Sequence, residues 1–129
     1  MIFTSMEKKK ILIIEDDSIL QKALQEFLIA EGFETLSALD GEEGVKIGKE
    51  KKPDLILLDI ILPKMDGYEV LKAMKSDEST KNIPIILLTN LGSLNDVEKA
   101  LGLGATTYLI KADYKLEEVA KKIKEVLNI

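Results

Sequence analysis

Short apolar runs alternate with helically spaced apolar residues along the chain. The run Ile11-Leu12-Ile13-Ile14 is too short for a buried helix and rich in β-branched residues, which predicts a central strand. Leu20, Ala23, Leu24, Phe27 and Leu28 then fall on one face of a helix that ends near Gly32. Glu34 to Leu39 predicts a second, weaker strand. Asp40-Gly41-Glu42-Glu43 sets a capping residue three positions before an acid, the start signal of a second helix. Gly44 and Gly48 lower the propensity of that helix and leave it poorly specified. Pro53 opens a third strand, Asp54-Leu55-Ile56-Leu57-Leu58-Asp59, and Val70, Leu71 and Met74 mark a third helix. Pro84 to Thr89 predicts a fourth strand. Ser93-Leu94-Asn95-Asp96 is a capping pattern for a fourth helix, with Val97, Ala100 and Leu101 on its apolar side. Thr106 to Ile110 predicts a fifth strand. The last helix sets Leu116, Val119, Ala120, Ile123 and Leu127 on one face and Lys121, Lys122, Lys124 and Glu125 on the other.

Five β–α units in succession, with strands apolar on both faces, imply a parallel sheet covered by helices on both sides. Right-handed crossovers leave few topologies. The expected class is α/β: a doubly wound, flavodoxin-like (βα)5 fold with strand order 2-1-3-4-5. Its ligand site should lie at the carboxyl ends of strands 1 and 3.

The 129 residues fit one domain. Residues 1–7 read as an N-terminal extension and residues 8–129 as the domain. Met6, just before Glu7-Lys8-Lys9-Lys10, is a second candidate start. The length leaves no room for a DNA-binding or catalytic output domain, so a stand-alone domain is expected. No apolar run approaches the roughly 20 residues that span a bilayer, and the N-terminus lacks the pattern of a secretory signal. A cytoplasmic location without membrane attachment is therefore expected. The net charge of −5 argues against nucleic acid as a partner. The chain has no Cys, which removes thiolate chemistry, and no His, the commonest general base and zinc ligand. All 18 basic residues are Lys, so any anion site must use a metal ion, a lysine or backbone N–H groups.

The residues expected at the carboxyl edge carry the candidate chemistry. Strand 1 runs into Glu15-Asp16-Asp17, strand 3 ends in Asp59, strand 4 in Thr89-Asn90 and strand 5 in Lys111. Asp59 interrupts the apolar run Leu55 to Leu62 and should be at least half buried. A buried carboxylate beside Glu15 and Asp16 is costly unless a cation intervenes. A hard divalent ion held by oxygens resolves the conflict, and Mg²⁺ suits a few carboxylates plus waters and a phosphate; Mn²⁺ is the alternative ion. With a metal present, Asp59 can act as a carboxylate nucleophile towards a phosphoryl donor. Such transfer needs little beyond in-line positioning and charge neutralisation, which Lys111 and the Thr89 hydroxyl would assist. Taken singly, each residue has a structural explanation: Glu15, Asp16 and Asp17 suit the positive end of the first helix, and Asp66-Gly67 suits a turn and helix start. Their joint occurrence at the ends of four strands favours a shared site.

With these residues in view, the sequence closely resembles the receiver domain of two-component response regulators. The matching motifs are Ile11 through Asp17, Leu58-Asp59-Ile60-Ile61-Leu62-Pro63-Lys64-Met65-Asp66-Gly67, Ile85 through Thr89, and Gly104-Ala105 through Tyr108-Leu109-Ile110-Lys111. The resemblance covers about residues 8–128. It implies that Asp59 accepts a phosphoryl group from a sensor histidine kinase or a histidine phosphotransfer protein. It implies that Glu15, Asp16, Asp59 and the backbone carbonyl of Ile61 hold Mg²⁺. Thr89 would hydrogen-bond the phosphoryl group and Lys111 pair with it. Thr89 and Tyr108 would form the switch, with Tyr108 turning inward. The face of the fourth helix, fifth strand and fifth helix would then bind a downstream protein, as a monomer or a phosphorylation-dependent homodimer. Such a protein is an autocatalytic phosphoryl acceptor, not a turnover enzyme. Its output would be a partner's response, a relay step or a phosphate sink.

Two positions depart from the pattern. Ala112 follows Lys111 where the family usually has proline, often in a cis bond, so a cis geometry is less favoured here. Asn90 follows Thr89 where a small residue is common. Ile61 and Leu91, two residues after the acceptor and the threonine, flank the path of the hydrolytic water in this family. Both are apolar, which predicts a slowly decaying phosphoryl-aspartate. Three rival readings differ in class. An aspartate-nucleophile phosphatase needs an acid where Ile61 stands. A flavin module needs a phosphate loop where the acidic Glu15-Asp16-Asp17 would repel phosphate. A degenerate receiver would act as a phosphorylation-independent docking scaffold.

Overall fold

The computed structural model describes residues 8–90, 94–111 and 115–129. Ser93 of the predicted capping pattern, Leu91, Ala112 and the extension at residues 1–7 lie outside the described residues. The elements follow the order β1 (Lys10–Ile14), α1 (Ser18–Ala30), β2 (Glu34–Ala38), α2 (Gly41–Lys51), β3 (Leu55–Asp59), α3 (Gly67–Lys75), β4 (Ile85–Thr89), α4 (Leu94–Gly102), β5 (Thr107–Ile110) and α5 (Leu116–Leu127). The strands form one sheet in the order β2-β1-β3-β4-β5, and every pairing is parallel.

β1, β3 and β4 are the central strands, and from Ile11 onward they are buried on both faces. Their alternate residues feed two separate cores. Leu12, Ile14, Ile56, Leu58, Ile85 and Leu87 pack with Val70, Leu71 and Met74 of α3 and Ala100 of α4. Ile11, Ile13, Leu55, Leu57, Ile86 and Leu88 pack with Leu24 and Leu28 of α1 and Val119, Ala120 and Ile123 of α5. Helices α1 and α5 thus cover one face and α2, α3 and α4 the other, the layering expected when parallel strands read as continuous apolar runs.

Local chemistry sets the boundaries. The Asp17 side chain accepts from Ile19 N at 3.0 Å and Leu20 N at 3.2 Å, capping α1. Asp40 caps α2 and Asp66 caps α3, each accepting from the backbone N–H three residues on. β2 stops at Ala38 rather than Leu39, which is 48 % exposed ahead of the capping Asp40. Leu101 is 38 % exposed, so it does not join Val97 and Ala100 on the packed side of α4.

The glycines of α2 have a packing role that propensity does not show. A Cβ on Gly44 would lie 2.5 Å from Ile14 Cδ1, and one on Gly48 would lie 2.1 Å from Met74 Cε. The helix is specified by its close approach to β1 and α3. Gly67 is less forgiving, because its obstacles are backbone and not the ends of side chains: a Cβ there would meet Ile60 Cα at 2.5 Å and Asp59 O at 2.7 Å. Gly67→Ala should therefore lower the unfolding free energy by about 1–3 kcal/mol. Gly102 has open space around the position of a Cβ, so Gly102→Ala should stabilise by about 0.5 kcal/mol. Urea denaturation of the two variants measures both signs.

Candidate functional site

The carboxyl ends of β1, β3, β4 and β5 open into one cleft of about 240 Å³. It is lined by Glu15, Asp16, Asp17, Asp59, Ile60, Ile61, Thr89, Asn90 and Lys111. A groove of about 550 Å³ between α1 and α5 is larger, but its charged groups are exposed or half-exposed, and it gathers no buried ionisable side chain. The smaller cleft is where the chemistry converges.

β1 delivers Glu15 one residue past its end, where the side chain is fully buried, while Asp16 beside it is exposed. β3 delivers Asp59, 7 % exposed, as its last residue. Carboxylate oxygens of Glu15, Asp16 and Asp59 lie within 4.8 Å of one another. Lys111, following β5, reaches between the two buried acids: Nζ is 2.9 Å from Asp59 Oδ2 and 2.5 Å from Glu15 Oε1. Among the described residues, Glu15 Oε1 meets no hydrogen-bond donor besides that Lys111 ion contact. The remaining oxygens meet backbone: Glu15 Oε2 accepts from Asp17 N at 3.0 Å, and Asp59 Oδ1 accepts from Ile61 N at 3.3 Å.

Burial, the largest influence on Glu15, raises its carboxyl above the usual value, and the nearby charge of Asp59 adds to the rise. Lys111 and the Asp17 N–H oppose it without cancelling it. Burial pushes the Lys111 ammonium down, but its bonds to Glu15 and Asp59 outweigh this and hold it above the ordinary lysine value. Three carboxylates thus face one ammonium. An all-oxygen donor set with surplus negative charge fits a hard divalent cation.

Thr89 is buried at the end of β4, and its carbonyl accepts from Lys111 N at 2.6 Å, tying the two strand ends together. Tyr108 is 37 % exposed, at the register position paired with Leu87. Ile61 is 77 % exposed on the loop after β3, and Asn90 is exposed beside Thr89. The cleft therefore brings together every predicted site residue except Tyr108, which stands outside it. Asp17 lines the cleft edge and caps α1, in line with its structural explanation.

One participant escaped the sequence analysis. Gln21 of α1 is 3 % exposed and donates from Nε2 to the carbonyls of Ile13 (2.9 Å), Ala38 (3.1 Å) and Glu15 (3.3 Å). A signal was present: Gln21 sits three residues before Leu24 and seven before Leu28, a polar side chain on a core-facing stripe.

Residues 11–124 match the family model of the response regulator receiver domain. The chain belongs to that family. The DNA-binding dual master transcriptional regulator RpaA of Synechocystis sp. (strain ATCC 27184 / PCC 6803 / Kazusa) is 36 % identical over 119 residues, covering 92 % of this chain and 49 % of the relative. The chain spans about half the length of the curated relatives it matches. Among solved structures, the Vibrio cholerae chemotaxis protein CheY4 aligns with a TM-score of 0.87 at 28 % identity, covering 93 % of this chain and 99 % of that one. The receiver domain of the sensor histidine kinase PA1611 from Pseudomonas aeruginosa PAO1 aligns with a TM-score of 0.84 at 28 % identity, covering 92 % and 97 %. That structure has a magnesium ion coordinated in its active site cleft. Receiver domains are signalling switches rather than turnover enzymes. No described helix of this receiver domain is long and apolar enough to cross a membrane.

The raised Glu15 carboxyl has a measurable consequence. Between its ordinary value of 4.5 and its raised value, the folded receiver binds more protons than the unfolded chain. Stability of the metal-free protein should therefore fall as pH rises from 4.5 through that window. Denaturant midpoints from pH 4.5 to neutrality, compared between the native chain and Glu15→Gln, isolate this contribution; it should be absent from the variant.

Proposed function

We propose that this receiver domain accepts a phosphoryl group on Asp59 from a phosphohistidine of a sensor kinase or phosphotransfer protein, with Mg²⁺ bound beside it. The observation that carries the reading is the meeting of Glu15, Asp16 and Asp59 oxygens within 4.8 Å, with the Lys111 ammonium 2.9 Å from Asp59. Glu15, Asp16, Asp59 and the Ile61 carbonyl would hold the ion. It would supply charge neutralisation for the transferring oxygens.

The protein's own part is positional. The Ile61 N–H and the Lys111 ammonium hold the two oxygens of Asp59 in place, so little reorientation precedes attack. Attack forms a bond from an Asp59 oxygen to phosphorus as the donor's P–N bond breaks, and the donor imidazole keeps the bonding pair. Lys111 then pairs with the added phosphoryl charge and Thr89 offers it a hydroxyl hydrogen bond. Movement of Thr89 would let Tyr108 turn inward from its partly exposed position, changing the surface of α4, β5 and α5. That surface would meet a downstream protein, as a monomer or a phosphorylation-dependent homodimer. The net charge of −5 supports a protein partner for this segment over nucleic acid, and a cytoplasmic setting suits a kinase-coupled relay.

Incubation with acetyl phosphate and Mg²⁺, read by intact mass, tests the acceptor. One phosphoryl group should be added and should be absent from Asp59→Asn. An unmodified native chain would leave a phosphorylation-independent docking scaffold as the better reading. The exposed, apolar Ile61 cannot orient a hydrolytic water, so decay should be slow and Ile61→Asn should accelerate it several-fold. Leu91, the second apolar flank in the sequence analysis, is tested in the same assay as Leu91→Glu.

A further inference from the structure

We propose that Gln21 is a positioning residue for the acidic pair Glu15–Asp16, an inference that rests on the Mg²⁺-dependent reading above. A buried amide is costly unless its polar atoms are bonded, and those of Gln21 are committed around one turn. Its two amide protons are shared among the carbonyls of Ile13, Glu15 and Ala38. Its Oε1 accepts from Gln25 Nε2 at 3.2 Å.

The Glu15 carbonyl belongs to the peptide unit that joins the two acids. Rotation of that unit would redirect both carboxylates. Glu15 N is already held by the Ala38 carbonyl at 3.0 Å, and Glu15 Oε2 by Asp17 N. Gln21 supplies the missing restraint on the carbonyl side. It also binds the same Ala38 carbonyl that receives Glu15 N, so the end of β2 and the start of the acidic turn share one donor. The Gln21 backbone N–H bonds the Asp17 carbonyl at 2.8 Å, placing this side chain directly above the turn it holds. Gln21 acts through the peptide unit and not on the carboxylate itself; outer partners that orient metal ligands typically change metal affinity by about 10–100-fold when removed.

The test is Mg²⁺ titration by calorimetry on the whole chain, with thermal denaturation alongside. Gln21→Met keeps the bulk and removes the donors; it should weaken Mg²⁺ binding by about 10-fold or more. Gln21→Asn keeps an amide one methylene too short, and should weaken binding likewise if the methionine variant fails to fold. The control is Thr80→Val. Thr80 is also fully buried and donates to a backbone carbonyl, that of Met74 at 2.7 Å, but it precedes β4 at the opposite end of the sheet. It should lose stability and keep Mg²⁺ affinity within twofold. Native-like affinity in a folded Gln21 variant, or an equal loss in Thr80→Val, would overturn the positioning role. Absence of Mg²⁺ binding by the native chain would instead remove the metal reading, and this inference with it.

Discussion

A single ammonium shared by two buried carboxylates is the constraint on which this receiver domain turns. Glu15 and Asp59 are both withdrawn from water at the sheet edge, and Lys111 lies between them. Desolvation of such charges costs more than a pairwise attraction easily returns, so buried ion pairs are poor stabilisers in themselves. The raised carboxyl of Glu15 expresses that imbalance in the molecule's own acidity. Apolar residues would have packed this edge at lower cost. What the carboxylates provide is a preorganised cluster of oxygens with excess negative charge, the property on which the proposed cation site rests.

Beyond the Lys111 ammonium, the surrounding structure steadies the cluster through backbone groups and one amide. Asp17 N, Ile61 N and the Gln21 amide each engage a carboxylate oxygen or an adjoining carbonyl. The loop after β3 is braced from behind, because Gly67 N donates to the Ile60 carbonyl at 2.6 Å and the absence of a Cβ lets the backbones touch. Gly41 makes a similar approach to the Met65 carbonyl from the start of α2. The acidic cleft is thus built on close backbone contacts that a single added methyl would disturb.

The organisation also separates duties along the chain. The strand interiors fill two apolar cores, and the residues at or just past their carboxyl ends carry the polar chemistry. Parallel strands with helical crossovers put all those ends on one edge, which is why residues 15, 59, 89 and 111 meet despite their sequence separation. Tyr108 shares β5 with the approach to Lys111 yet stands apart from the cleft, so in the proposed reading any signal must pass through strand and loop movement rather than direct contact.

Much of this was legible in the amino-acid order. Continuous apolar runs and helical spacing predicted the elements, their parallel arrangement and the order of strands, because burial on both faces leaves a distinctive pattern. The polar residues ending each run identified Glu15, Asp16, Asp59, Thr89 and Lys111 as one site, since the topology places strand ends together. Periodicity alone misjudged Leu101, because it reports a face and not how far a neighbouring layer extends. Propensity undervalued α2, because Gly44 and Gly48 are chosen by the side chains of Ile14 and Met74 across the layer. Gln21 went unnoticed in the sequence, since its partners are the carbonyls of Ile13, Glu15 and Ala38, which only the packed sheet brings to it. Sequence determined what must be buried and which charges end each strand. Only tertiary structure decided which donor meets which acceptor, because those distances depend on the packing of elements remote in the chain.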